Sequence, residues 1–140
     1  MPGIDACLQE AMDLPGARGA AVVDWTSGLA LGTAGESPNG DHEATAAETA
    51  ELARAAAEYP AFAPDAPDDA AAPGRGGSAD GGPPVEDLIL TTRTAYHILC
   101  FVETTFDSSV FLHLWLDRAT GNLALARLRL QQLAARLVLA

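Results

Sequence analysis

A chain of 140 residues and 14.4 kDa suits a single domain that buries roughly two-thirds of its unfolded surface and needs no disulfide or metal staple. Its formal net charge of −11 excludes a general nucleic-acid binder, which needs a cationic surface. No apolar run nears the roughly 18 residues of a membrane span, and MPGIDACLQEAMDL has neither a basic start nor an apolar signal core, so we expect a cytoplasmic protein without membrane insertion.

The charge is unevenly placed. Residues 1–117 hold all nineteen acids and four Arg, a formal −15, whereas the last 23 residues hold Arg118, Arg127, Arg129, Arg136 and no acid, a formal +4. An internal complement between tail and body, or a docking surface for an acidic partner, answers to this pattern. Every basic residue is Arg, which together with the abundant Ala suggests a GC-rich genome.

Residues 4–14 space Ile4, Leu8, Ala11 and Met12 as a helix that Pro15-Gly16 stops. Ala20 to Trp25 and Leu29 to Thr33 read as two strands joined by Thr26-Ser27-Gly28, with Gly28 supplying the positive φ of the turn. Asp41 N-caps a second helix, DHEATAAETAELARAAAEY, with Glu43 in its first turn. Its interior is almost all alanine, with Leu52 the one large aliphatic residue, so it packs well only where another backbone comes close. Residues 60–84 hold six of the nine prolines, five glycines and four aspartates, and are expected to form a flexible insertion within one domain spanning 1–140.

Three strands follow, Val85 to Thr92, Ala95 to Glu103 and Val110 to Asp117, with TTFDSS between the last two. In YHILCFVE, residues 96–103, both alternating faces are largely apolar, so both sides of the sheet must be covered. A final helix begins after Asn122 as N-cap, with Leu123, Ala126, Leu130, Leu133 and Leu137 as its inner stripe and Arg129, Gln132 and Arg136 outside.

No chemistry-bearing motif emerges. GRGGSADGG lacks the flanking strand and lysine of a phosphate-binding loop, and no Ser sits in a nucleophile elbow. His42, His97 and His113 are dispersed. The latter two sit on strands that can be neighbours, which leaves a metal or proton-relay role open beside that of partly buried, hydrogen-bonded histidines. Cys100 and His97 lie three apart on one strand and point to opposite faces, so they form no nucleophile pair. Cys7 and Cys100 read as core residues of a reducing compartment, with a disulfide between them as the lesser alternative. Arg93 and Arg118, at strand ends, read as solvated side chains or as arginine fingers supplied to a GTPase. No enzyme activity, metal or cofactor is expected.

With this element order, the sequence resembles the Roadblock (dynein light-chain type) domain family. GARGAAVVDWTSGLAL, residues 16–31, is similar to its opening hairpin; EATAAETAELARAA, residues 43–56, to its small-residue central helix; and LDRATGNLALARLRLQQL, residues 116–133, to its closing turn and helix. The 60–84 insertion departs from the pattern. The resemblance implies an α+β fold of order α-β-β-α-β-β-β-α, profilin-like. Its five-stranded antiparallel sheet carries the first and last helices on one face and the central helix on the other.

The resemblance also implies a homodimer, with sheets joined edge to edge and central helices paired, acting as a non-catalytic adaptor or regulator of a small Ras-like GTPase. Bacterial members resemble gliding-motility polarity regulators, and in filamentous actinobacteria they accompany a GTPase and a sensor-kinase-like protein. On the central helix, Ala47, Glu48, Glu51, Arg54 and Glu58 are the candidates for dimer or partner contact. A small-molecule sensor of similar architecture, with a polar pocket near Tyr96, His97 or His113, and a purely structural dimerisation module are the rival readings.

Overall fold

The structure, a computed structural model, describes residues 2–64, 85–102 and 109–139. The expected insertion beyond residue 64 and the TTFDSS turn up to residue 108 lie outside the described residues. The elements are α1 (Pro2–Met12), β1 (Ala17–Asp24), β2 (Leu29–Gly35), α2 (His42–Glu58), β3 (Asp87–Thr91), β4 (Ala95–Val102), β5 (Val110–Asp117) and α3 (Leu123–Leu139). A one-turn 3-10 helix, Pro60–Phe62, follows α2, so regular structure reaches into the stretch read as a flexible insertion.

One antiparallel sheet runs in the order β2-β1-β5-β4-β3. The apolar residues of β4 divide between two cores. Ile98, Cys100 and Val102 join Ala20, Val22, Leu112, Leu114 and Leu116 beneath α1 and α3. Leu99 and Phe101 join Ala21, Val23 and Phe111 beneath α2. Both faces are therefore covered, as the double-sided pattern of β4 demands. Ile98, Leu99 and Val102 are at most 1 % exposed, and each contributes about 1.5–3 kcal/mol by leaving water.

Local chemistry sets the joints. Gly28 has φ 77° at the β1–β2 turn and donates its N–H to the Asp24 carbonyl at 2.8 Å. Gly32 lets α1 lie on β2, because a Cβ there would meet Ile4 Cγ2 at 2.7 Å. Asp41 caps α2, its Oδ1 accepting from the N–H groups of Glu43 at 3.0 Å and Ala44 at 3.3 Å. Asn122 caps α3 through the Leu125 N–H at 3.0 Å. The stripe on α3 points inward as expected, with Ala126, Leu130 and Leu133 at most 1 % exposed.

The cationic tail is largely complemented within the chain. Arg127 pairs with Asp87 at 2.6 Å and Arg136 with Glu10 at 2.7 Å, fastening α3 to β3 and to α1. Both thiols are buried and free. No helix among the described residues is long and apolar enough to cross a membrane.

Candidate functional site

Alanine makes α2 thin on its inner side, where Ala46, Ala50, Ala53 and Ala56 settle on the sheet. Its outer side is not closed. Leu52 is 38 % exposed, Tyr59 60 % and Phe62 54 %, and they continue one another along the helix and into the 3-10 turn. Glu51 and Glu58 run one residue out of step beside Leu52 and Tyr59, and Ala47 and Glu48 are also exposed. Among the described residues none of these three carboxylates has an ion pair. Arg54 is placed differently from the other four sequence candidates: it is half-buried and its Nη2 donates to the Trp25 carbonyl at 2.8 Å, so it braces α2 against the hairpin.

A second open region borders β3, an edge strand that among the described residues pairs only with β4. On the face opposite α2 an open groove of about 450 Å³ runs between Ile89 and the α3 residues Leu123, Ala124, Arg127, Leu128 and Gln131, with Leu128 54 % exposed. On the α2 face, Leu90 is 47 % exposed, because α2 lies chiefly over β2 and β1. Both flanks of the β3 edge therefore present apolar side chains to solvent, which is unusual for an edge that stands alone.

The register of β4 against β5 brings two sequence-flagged histidines together beside this region. His97 stands opposite Trp115, and His113 opposite Leu99, so the imidazoles meet on the diagonal with His97 Nδ1 and His113 Nε2 at 2.9 Å. Their centroids are 5.2 Å apart with 18° between the planes. That separation equals the N···N distance plus a ring radius at either end, so the rings lie end to end, not face to face. The lone pair of one points at the N–H of the other, leaving no space for an ion between them.

Trp115 lies parallel to His97, 4° between planes and 6.4 Å between centroids, and the Arg18 guanidinium sits 3.8 Å above Trp115 while pairing with Glu36 at 3.3 Å. Burial pushes His113 down to about 3, with the charges of His97 and His42 adding to the effect. Burial also lowers His97. The space between His113 and the start of α2 is about 10 Å³, room for one water at most.

Cys100 lies on the opposite face from His97, and burial, with Asp87 assisting, pushes its thiol up to about 12. Burial and Glu10 push Cys7 up to about 11. No cluster of three or more His, Cys, Asp or Glu is arranged to hold a metal among the described residues. Arg118 donates to the Thr92 carbonyl at 2.9 Å and leans over Tyr96, 5.8 Å from its ring, so it serves the fold; Arg93 stands exposed on the β3–β4 turn. The sequence reading missed the Arg18–Trp115 stack and the outward Tyr59 and Phe62. For the aromatics the signal was partial, since Tyr59 follows Leu52 at helical spacing while Phe62 lies in the 3-10 turn beyond α2.

No family model and no curated protein matches the sequence. Solved structures do match. Myxococcus xanthus MglB superposes with a TM-score of 0.71 at 19% identity, over 98% of this chain and 86% of that one. The chain has the Roadblock fold. A Roadblock/LC7 domain from Streptomyces avermitilis superposes at 0.57 with 18% identity, over 94% and 88% of the two chains. An MglB in a tetrameric arrangement superposes at 0.66 with 16% identity, over 99% and 89%. The Roadblock order of elements is followed from the first helix to the last.

Proposed function

We propose that the chain is a non-catalytic homodimeric adaptor that binds a small Ras-like GTPase and modulates its switch state or localisation. The observation that carries the reading is the exposed apolar surface on a Roadblock fold. Leu52, Tyr59 and Phe62 on one side of α2, and Leu90, Ile89 and Leu128 around the β3 edge, are what sheets joined at β3 with their central helices paired would cover. Leaving large apolar side chains wet forfeits about 1.5–3 kcal/mol each, and a second copy recovers much of that. Self-association of a like-folded MglB into a tetrameric arrangement supports the reading.

Glu48, Glu51 and Glu58 flank the apolar row, so the GTPase surface that docks there is basic. Ala47 lets that surface come close. For the adaptor to act as a regulator it must bind the two nucleotide states with different affinity. The small-molecule sensor reading needs a polar pocket near Tyr96, His97 or His113, and the cavity beside His113, at about 10 Å³, is too small for one.

The test has two stages. Light scattering over a concentration series should give a mass near twice 14.4 kDa, and the double substitution Tyr59→Asp, Phe62→Asp should lower it. A persistent wild-type monomer removes the composite surface. Capture of a small Ras-like GTPase loaded with GDP or with a non-hydrolysable GTP analogue should then differ between states. Equal capture leaves a scaffold, and no capture leaves a dimerisation module.

A further inference from the structure

We infer that self-association of this protein is proton-sensitive through the end-to-end His97–His113 pair, with acid weakening it. The inference rests on the homodimer reading above. Its geometric basis is the place of His97: half-buried, on the half of the sheet away from α2, and directly opposite the exposed Leu90 of β3. A copy seated along β3 that covers Leu90 from the α2 side covers the imidazole as well.

The pair can take up one proton without coming apart. Protonated His97 donates through Nδ1 to Nε2 of neutral His113, which is the bond already present at 2.9 Å. A second proton has nowhere favourable to go, because His113 is 4 % exposed and charging it would place two cations end to end. The fold therefore survives the first protonation, and the charge appears on the exposed member, where a partner would meet it.

Among the described residues nothing nearby compensates that charge. From β5 His97 meets Trp115 and neutral His113. Across on β3 stand Leu88 and Leu90, while Asp87 is engaged by Arg127. From β1 comes Arg18, a cation whose ion pair is with Glu36. His42 at the start of α2 can only add positive charge, and α1 and α3 lie on the other face. Association strips water from an imidazolium with no carboxylate among the described residues to receive it, so the neutral form associates better. Burial already holds His97 of the free protomer below the ordinary 6.5, so affinity is full at and above 6.5 and falls as pH drops through that lowered value.

Each further unit of pKa depression on association weakens binding about tenfold per protomer, so about 100-fold in a symmetric dimer that covers both copies of His97. The net charge of −11 works the other way, since acid relieves repulsion between copies, but that relief comes mainly below about pH 5, where carboxylates titrate.

The experiment is a dilution series by sedimentation equilibrium at pH 7.5, 6.5 and 5.5, on wild type, His97→Gln and His42→Gln, with circular dichroism to confirm the fold. Wild type and His42→Gln should lose affinity several-fold across the series, steepest between pH 6.5 and 5.5, and His97→Gln should not. A wild-type dimer whose affinity is flat with pH, or a His97→Gln variant with the full dependence, overturns the inference and leaves the dimer standing. A wild-type monomer at every pH overturns the dimer reading and this inference with it. Should His97→Gln misfold, the His97 Cε1 proton of the wild type can be titrated by NMR at dilute and concentrated protein. Its midpoint should fall on concentration, and an unchanged midpoint refutes the coupling.

Discussion

Lowering the pH from 8 to 5 should destabilise the native protein by about 2 kcal/mol through His113 alone. This residue is 4 % exposed in the α2-side layer of the sheet, hydrogen-bonded to another imidazole and to no anion. The native state binds its proton only at about 3, the unfolded chain near 6.5. Unfolding therefore takes up a proton at any pH between those values, and stability falls as pH drops through 6.5. At pH 5 the unfolded chain has gained about 1.5 pH units of proton binding that the native state lacks, at 1.36 kcal/mol each. His97, lowered by burial, acts in the same direction.

Carboxylates are also held low: Asp24 and Asp117 from 3.8, and Glu10 from 4.5. Their contributions are present above those values and are lost on further acidification, so they scarcely enter a window ending at pH 5. Urea unfolding at fixed protein concentration should show the midpoint dropping from pH 8 to 5 in wild type and much less in His113→Gln. The corresponding shift in Tm is roughly 5 °C. Equal pH slopes in the two proteins would show that burial of His113 does not control its protonation, and the reasoning would fail.

Gly32→Ala should destabilise by about 1–3 kcal/mol in chemical denaturation, because its Cβ would meet Ile4 Cγ2 at 2.7 Å and push α1 off β2. Asp41→Ala should cost about 1 kcal/mol, since two N–H groups of α2 lose their acceptor; Asp41→Asn should recover most of it. Phe111→Ala empties a fully buried site between the sheet and an alanine helix too thin to refill it, so about 3–5 kcal/mol should be lost in denaturant midpoint analysis.

Much of this fold was legible because its signals are local. Asp41, Gly28 and Asn122 mark a helix start, a turn and a second helix start through their own side chains or φ, and each does so in the structure. Strand boundaries were harder. β1 begins at Ala17, not Ala20, because Arg18 is accommodated at a register shift and turned onto Trp115, a partner far away in sequence. β2 runs on to Gly35, two residues past the expected end at Thr33, with Gly32 and Gly35 inside it. Those glycines serve close approach: α1 needs the missing Cβ of Gly32, a demand visible only in three dimensions. The His97–His113 bond likewise depends on register, since sliding β4 by one residue would send the imidazoles to opposite faces. Arg54 fits the outward helical row by spacing, yet its long side chain returns to the Trp25 carbonyl.

The candidate surface shows why exposed apolar residues are hard to pick out of a sequence. In LALARLRLQQL, residues 123–133, five leucines look alike, yet Leu130 and Leu133 are 1 % exposed while Leu128 is 54 % exposed. Once the inner stripe of α3 is assigned, Leu125 and Leu128 follow as outward by helical geometry, because the two rows cannot share a face. Tyr59 and Phe62 follow less easily, since they stand where α2 gives way to a 3-10 turn and the spacing changes. What marks this surface is apolar groups left in water against their preference, and that excess becomes visible only after the core has claimed its own. The β3 edge gathers it from both faces of the sheet, beyond the reach of a single covering helix, and it is this surface that the proposed second copy would cover.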